Sequence, residues 1–354
     1  MITPERQVVT LHTVQGVQLY QFLGSELVDL TWSRDAEQVS RCEMTVPSTL
    51  EYNRLPDITP WLHWVSVWDD TGQILYWTGP IQKTAATRDS MSISARDMAC
   101  LFSRTRCPLA KRWDVVWPVT VAEELIDRMV ELHGLEVKPV VQPVRPLQYD
   151  ERYDYVAKGD EVMLDTTIDD LVRLGLRWSV VSGVPVLGRL PRTPFVALTE
   201  TDFVGGGLTI VRDGTTTFND VLLRGADNLS RARVDMGGLN LQTIVNIDDM
   251  YGVSNVDRAV KQYTHYTSQI RDTITLPDNA VLHPEAPVAL DQLIPSARFT
   301  IDAYGLLLMM ELVGIDVRVT SESASVSVRM ISVDDELPEL IEVQNHASIS
   351  GAKK

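Results

Sequence analysis

The segment from Trp61 to Gly79, WLHWVSVWDDTGQILYWTG, limits the possible folds more than any other part of the chain. Two apolar, aromatic and β-branched runs flank Asp69-Asp70-Thr71-Gly72, a pattern that predicts a β-hairpin with a short turn. A hairpin with one face in water alternates apolar and polar side chains, and this one does not. Both faces of the hairpin therefore need cover.

Strand alternation predicts which side chains share a face. In the first strand it puts one set on one face, Trp61, His63, Val65 and Val67, and the other set on the opposite face, Leu62, Trp64, Ser66 and Trp68. In the return strand it puts Ile74 and Tyr76 on one face and Leu75 and Trp77 on the other. Two explanations of the second covered face stay open, a buried core within one chain and an interface with another copy. On the second explanation the interface residues are Trp61, Trp64, Trp68, Tyr76 and Trp77.

Composition predicts a soluble, globular protein of two or three domains, since 354 residues are 44% apolar and 23% charged. No apolar stretch approaches the roughly 18 residues of a membrane span, and the N-terminus lacks the pattern of a secretory signal. We therefore expect no membrane segment and folding in a cytoplasm. The net charge of -16 opposes stable binding to nucleic acid or an anionic membrane. Cys42, Cys100 and Cys107 show no metal-like pairing and predict packed, reduced thiols.

No motif predicts a catalytic, cofactor or metal site. Asp70-Thr71-Gly72 matches the triplet of aspartic proteases, but such an enzyme needs two carboxylates and the chain has no second triplet. The six histidines are scattered without a ligand spacing. The run Gly205-Gly206-Gly207 lacks the Lys-Ser/Thr ending of a phosphate-binding loop and indicates a joint between domains.

The order of patterns along the chain predicts a mainly β protein with an α/β insertion. We place a β domain at residues 1–105, an α/β insertion at 106–205, a second β domain at 206–340 with its own insertion at about 227–273, and a flexible tail at 341–354. A basic, proline-containing segment, which we call the basic break, lies at the end of the first domain and indicates a solvated linker or a contact with an acidic partner. Its residues are Arg104, Arg106, Cys107, Pro108, Lys111 and Arg112.

Local patterns predict elements within these domains. Thr120 to Gly134 and Thr166 to Gly175 have apolar residues at helical spacing, and Thr120 with Glu123 predicts a capping box. Further predictions are a hairpin about Ser182-Gly183, a strand, turn and strand over Leu208 to Gly225, a hairpin over Ile315 to Met330, and a solvated loop or hairpin end over Arg34 to Arg41.

Several sequence segments, in the order in which they occur along the chain, resemble the minor tail proteins of long-tailed actinobacterial phages. Those proteins belong with the tail-tip or baseplate hub proteins. The matching stretches are CEMTVP (Cys42 to Pro47), SARDMACLF (Ser94 to Phe102), TTIDDLVRLGLRWSVVSGVPVLG (Thr166 to Gly188), TTFNDVLLRGAD (Thr216 to Asp227) and LHPEAPVALDQLIPSARFTI (Leu282 to Ile301). Each is a weak motif, and the specificity lies in their order.

The resemblance implies two β-barrel or β-sandwich domains that look like the tail-tube subunit, plus helix-containing insertions. It implies a homotrimeric ring that continues the tail tube, joined to a distal tail protein, the tape measure protein and a central fibre or other minor tail proteins. DNA would only pass through the lumen. We therefore expect a non-enzymatic structural protein of the virion. The alternatives are a glycan-binding tail module that stacks sugars on exposed aromatic side chains, and a cell-wall hydrolase or protease.

Overall fold

The chain divides into two compact units, one of Met1–Leu208 with Leu276–Ile331 and one of Thr209–Thr275 with Ser332–Lys354. The computed structural model describes residues 7–47, 58–142, 152–188, 190–191, 193–205, 207–225, 228–246, 253–270, 272–277, 280–320 and 323–333. The predicted tail at 341–354 lies outside these residues. The described part is mainly β, which confirms the predicted fold class.

A twelve-stranded sheet forms the framework of the first unit. Its strands are β1 (Gln7–Thr13), β2 (Gln18–Phe22), β3 (Asp29–Asp35), β4 (Arg41–Pro47), β5 (His63–Asp69), β6 (Leu75–Ala86), β7 (Ser90–Arg96), β13 (Ala197–Thr199), β19 (Ala280–Val281), β20 (Arg298–Ala303), β21 (Leu306–Thr320) and β22 (Ala324–Ser332). The order is β13-β20-β21-β3-β4-β7-β6-β5-β1-β2, and β22 pairs with both β21 and β19. Strands from both ends of the chain thus share one sheet.

The pairing of β3 with β21 joins those two ends. Asp29 to Asp35 lie antiparallel to Gly314 to Thr320 over seven residue pairs. The sequence divides these strands between separate β domains, because local patterns do not show which distant strand a strand pairs with. The predicted hairpin over Ile315 to Met330 is present as β21 and β22.

Strand β6 belongs to two parts of the sheet. Residues 75–80 pair with β5, and residues 81–86 pair with β7. Gly79 lies at the change of partner, where a Cβ atom would stand 1.9 Å from the carbonyl oxygen of Arg96. Any side chain at this position would push β6 away from the end of β7.

The insertion packs two helices against small sheets. Its elements are β8 (Lys111–Val116), α1 (Pro118–Leu132), β9 (Val140–Val141), β10 (Tyr153–Ala157), α2 (Leu164–Arg173), β11 (Trp178–Val181) and β12 (Val184–Leu187). Strands β8 and β10 pair, and β12 lies between β11 and β9. The apolar faces of both helices join one core with Trp178 and the short 3-10 helix Met98–Arg104. The hairpin predicted about Ser182-Gly183 is present as β11 and β12.

Helix α1 begins three residues before the predicted start. Trp117 is the N-cap and Pro118 the first helical residue, so Thr120 lies inside the helix and the predicted capping box with Glu123 does not form. Proline suits the first helical position because its fixed φ is helical and its missing N–H has no partner there.

The second unit contains two small sheets and one helix. It contains β14 (Thr209–Arg212), β15 (Asp220–Arg224), β16 (Leu229–Arg233), β17 (Gln242–Asn246), α3 (Val253–Thr267) and β18 (Asp272–Thr275). Strand β14 pairs with β18 and not with β15, the next strand in the sequence. Strand β15 lies between β16 and β17. The successive strands over Leu208 to Gly225 therefore do not form a hairpin.

Asp220 links the three strands of the β16-β15-β17 sheet. Its carboxylate accepts hydrogen bonds from the guanidinium of Arg231, from Asn240 at 2.9 Å and from Gln242 at 3.0 Å. The Arg231 bond is the largest cause of a pKa well below the usual range for Asp220. The carboxylate is therefore charged at neutral pH.

Asp97 is a buried carboxyl in the first unit. It accepts hydrogen bonds from the backbone N–H groups of Ser40 and Ala99, both at 2.9 Å. Burial raises the pKa of Asp97 to about 7, although these bonds favour the charged form. A carboxyl with a raised pKa stabilises the fold at low pH, and this contribution is lost as the pH rises through about 7.

We predict that wild-type protein loses stability relative to Asp97→Asn between about pH 5 and about pH 8, by about 2–3 kcal/mol. Folding takes up a proton at the lower pH, because unfolded Asp97 ionises near 3.8 and folded Asp97 near 7. Urea denaturation at a series of pH values measures the difference. Asp89→Asn removes an exposed carboxyl and serves as the control. An equal response in both variants would contradict the assignment to Asp97.

Candidate functional site

The tryptophan hairpin is present as β5 and β6, with the predicted turn between them. The Asp69 carboxylate accepts hydrogen bonds from the backbone N–H groups of Gln73 at 2.7 Å and Ile74 at 2.9 Å, and from the Thr71 hydroxyl. The triplet Asp70-Thr71-Gly72 therefore lies in an exposed turn organised by Asp69. This placement fits the turn interpretation and not a protease site.

A β-bulge changes the predicted faces of the return strand. The register pairs Trp68 with Leu75 but Val67 with Trp77, because an extra residue lies between these pairs. Leu75 and Trp77 are therefore on opposite faces, where simple alternation put them together. Local sequence carries no signal for the extra residue.

The bulge places Tyr76 and Trp77 in the core of one chain. Trp77 is 2% exposed and Tyr76 8% exposed. The Tyr76 ring stacks on Trp32 with centroids 6.0 Å apart. These two side chains, predicted at a subunit interface, are therefore not accessible to a second copy in this fold.

Trp61 lies before β5 and not within it. Its φ of 71° belongs to a turn, so it has no place in the strand alternation that the sequence predicts. The indole is 37% exposed, and the Arg104 guanidinium lies 5.7 Å from its ring centroid. Leu62 beside it is 60% exposed. Within the hairpin, these two residues and Ile74, which is 43% exposed, present apolar surface that another copy can reach.

Trp64 and Trp68 lie on the second face of the sheet and line a groove of about 780 Å³. We call this the tryptophan groove. Its floor is the face of β2, β1, β5 and β6, and its opposite wall consists of residues 134–137, after α1, and 182–184, between β11 and β12. The second face is thus partly covered by the same chain.

Two contacts hold the wall against the floor. The Ser182 hydroxyl donates to the carbonyl oxygen of Leu75 at 2.6 Å. Gly183 has a φ of 79°, and a Cβ atom there would lie 2.3 Å from Thr78 Cγ2. Only glycine allows this turn to approach the floor so closely.

A polar network crosses the floor. The Nδ1 and Nε2 atoms of His12 lie 2.8 Å from the Thr13 carbonyl oxygen and 2.7 Å from Ser66 Oγ. Burial lowers the pKa of His12. The neutral ring therefore carries its proton on Nδ1, which donates to the carbonyl, and the unprotonated Nε2 faces the Ser66 hydroxyl. Thr78 Oγ1 lies 2.7 Å from the same Ser66 oxygen.

The Ser66–His12 pair has the geometry of a nucleophile and its base but lacks the other parts of such a site. Ser66 is 3% exposed and lies in the middle of β5, between β1 and β6. The β5 backbone N–H groups around it belong to the strand ladders, so none is free to bind an oxyanion. The pair therefore orders the floor of the groove. Sequence reasoning missed this network, whose only signal is polar Thr10, Ser66 and Thr78 within apolar strands.

The basic break borders a second cavity of about 580 Å³. Arg106 pairs with Asp160 at 3.3 Å, and Arg128 pairs with Glu131 at 2.7 Å. These ion pairs neutralise part of the positive charge, so the cavity has no strong preference for an acidic partner.

Among the described residues, no group of three or more His, Cys, Asp or Glu side chains is placed to hold a metal ion. Within the same ranges, no helix combines the length and the apolar character that crossing a membrane requires. Cys42, Cys100 and Cys107 are free and buried, as the sequence predicts.

The fold is similar to those of solved phage tail proteins. A tail protein from Neisseria meningitidis has 14% sequence identity and a TM-score of 0.61, covering 93% of this chain and 97% of its own. The 43 kDa tail protein of prophage MuSo2 from Shewanella oneidensis has 12% identity and a TM-score of 0.60, with coverages of 92% and 98%. Prophage tail protein gp18 from Listeria monocytogenes has 10% identity and a TM-score of 0.53, with coverages of 98% and 99%. No family model and no curated protein matches the chain.

We predict that Trp77→Ala lowers the free energy of unfolding by about 3–5 kcal/mol, because it leaves a cavity in the core. Trp61→Ala should lower it by less than about 1 kcal/mol, since it removes a half-exposed ring and one cation–π contact. Urea denaturation of both variants at low protein concentration measures the difference. Equal losses would contradict the division between core and surface tryptophans.

Proposed function

We propose that this protein is a structural subunit of a phage tail tip, in which three copies form a ring that continues the tail tube. The observation that carries the proposal is the likeness to solved phage tail proteins over almost the full length of both chains. The particular phage host group, actinobacteria, stays a prediction from the sequence resemblance.

The two ends of the large sheet support a ring. Strand β2 lies at one end and β13 at the other, and neither has a second partner among the described strands. Open edges are places where another chain adds to a sheet. A contact that joins unlike surfaces of successive copies closes into a ring when the rotation allows it.

The composition supports a conduit. A chain with a net charge of -16 repels polyphosphate, so DNA would pass a lumen of such subunits without being retained. The proposed partners are the tail tube, a distal tail protein, the tape measure protein and a central fibre or other minor tail proteins. The proposed location is the tail tip of the virion after synthesis in the host cytoplasm.

The mechanism of such a subunit is assembly and conduction, without catalysis. The Ser66–His12 pair is buried in the floor of the groove and lacks an oxyanion site, which argues against the hydrolase alternative. The turn position of Asp70-Thr71-Gly72 argues against the protease alternative. Burial of apolar surface between copies supplies most of the association energy in obligate interfaces.

We predict that native mass spectrometry of the protein with its tail partners detects a trimer. Trp61→Ser combined with Leu62→Ser should weaken trimer formation at least about tenfold, since each removes large exposed apolar surface. Val156→Ser, which also changes an exposed apolar side chain, is the control and should leave assembly unchanged.

A stable monomer in the presence of those partners would overturn the proposed ring. If the double variant still forms trimers, the proposed ring stands, but its interface does not include Trp61 and Leu62. An image of the particle that places the chain outside the tail tip would overturn the proposed location.

A further inference from the structure

The tryptophan groove has the size and construction of a ligand site. Its volume of about 780 Å³ falls within the range of about 300–1,000 Å³ that is typical of small-molecule sites. Its wall is fixed to its floor by the Ser182 hydrogen bond and the close approach of Gly183 to Thr78. The groove therefore exists before any ligand binds.

A row of polar side chains crosses the floor from strand to strand. The ladder pairs Gln21 with Thr10, Thr10 with Ser66, and Ser66 with Thr78. Neighbouring strands lie about 4.8 Å apart, so this row extends over about 14 Å. Gln18 and Gln21 are exposed at its β2 end, where their amides carry both donors and acceptors.

The two tryptophans lie on opposite sides of this row. Trp64 and Trp68 are two residues before and two residues after Ser66 on β5, so their Cα atoms are about 13 Å apart. Thr10 Oγ1 accepts a hydrogen bond of 3.0 Å from Trp68 Nε1, which fixes the orientation of that indole. Trp64 packs on the core of the insertion and lies 6.5 Å from the His12 ring.

The charge of the lining decides between classes of ligand. Among the residues that the structure describes, the lining contains Asp70 and Glu136 but no lysine or arginine. A phosphate, a nucleic acid or an acidic sugar would meet repulsion without a compensating cation. Indole faces carry negative potential and pack against the weakly positive C–H faces of a sugar ring, while hydroxyl and amide side chains bond sugar hydroxyls.

We propose that the tryptophan groove binds a neutral oligosaccharide of two or three rings, which lies across the polar row between Trp64 and Trp68. This site goes beyond the proposed ring, since assembly neither requires it nor provides it. The ligand class follows from the aromatic side chains, the neutral polar row and the acidic rim.

A peptide fits this groove less well. Binding of an extended peptide relies on main-chain hydrogen bonds at a sheet edge. The floor here is a sheet face, where the N–H and C=O groups of β1 and β5 already pair with neighbouring strands. The exposed amides of Gln18 and Gln21 are polar groups that a ligand can reach, and they match sugar hydroxyls.

The test is a titration of the full chain with chitotriose and maltotriose, followed by tryptophan fluorescence and isothermal calorimetry. We expect saturable binding of at least one of them with a dissociation constant of about 1 mM or tighter. Trigalacturonic acid, an anionic trisaccharide, should bind at least about tenfold more weakly, and tetra-alanine should not bind.

Variants assign the binding to the groove. Trp68→Ala should weaken it at least about tenfold. Gln18→Ala combined with Gln21→Ala changes only exposed side chains, so it keeps the fold and should weaken binding about threefold or more. Trp61→Ala and Gln262→Ala, which lie outside the groove, should bind as the wild type does.

Three results would overturn the site: no saturable binding of either neutral sugar, equal or tighter binding of the anionic sugar or the peptide, or binding that survives both groove variants. Sedimentation of the same samples reports the oligomeric state separately. Loss of sugar binding in an intact trimer, or its presence in a monomer, therefore distinguishes failure of the site from failure of the ring.

Discussion

The burial of Arg34 within strand β3 is the interaction on which the first unit depends. Its side chain is 1% exposed, and its guanidinium donates to the carbonyl oxygens of Tyr76 at 2.8 Å, Leu290 at 3.2 Å and Leu293 at 3.3 Å. Burial lowers the pKa of Arg34 to about 10, so the group stays charged at neutral pH. A buried charge needs this degree of hydrogen bonding, and the three acceptors come from the hairpin and from a segment some 250 residues away. One side chain thus links β3 to the tryptophan hairpin and to the segment that precedes β20.

The turn after β3 connects that strand to the wall of the tryptophan groove. Ala36 forms a bridge with Ser179, the N–H of Glu37 donates to the Trp178 carbonyl at 2.9 Å, and Arg177 pairs with Glu37 at 2.7 Å. These contacts fix β11, and the hairpin of β11 and β12 supplies the wall at residues 182–184. The groove is therefore a consequence of how β3 is held, although β3 contributes no residue to its lining.

Short-range features of the fold are predictable from sequence because a few neighbouring residues determine them. The turn after Asp69, the hairpin about Ser182-Gly183 and the apolar faces of α1 and α2 belong to this class. The pairing of β3 with β21, the bulge beside Trp68 and the burial of Arg34 do not, since each depends on residues far apart in the chain. For that reason the sequence predicts a solvated loop or hairpin end at Arg34 but not its burial, and it puts Trp77 on the same face as Leu75. The structure has the hairpin end, between β3 and β4. The groove was not predictable either, because its floor and wall come from separate parts of the chain.

The second face of the tryptophan hairpin is partly covered by its own chain, so a second copy is not needed to cover it. The sequence requires cover on both faces and leaves open whether the second cover is the same chain or another copy. The insertion supplies it up to the groove, so Trp64 and Trp68 are accounted for within one chain. A ring then has to be argued from the edges of the sheet and from the exposed apolar pair Trp61 and Leu62. Trp61 and Leu62 lie outside the groove, so substitutions there change the proposed interface without changing the groove lining, whereas the β2 edge carries Gln18 and Gln21 of the groove.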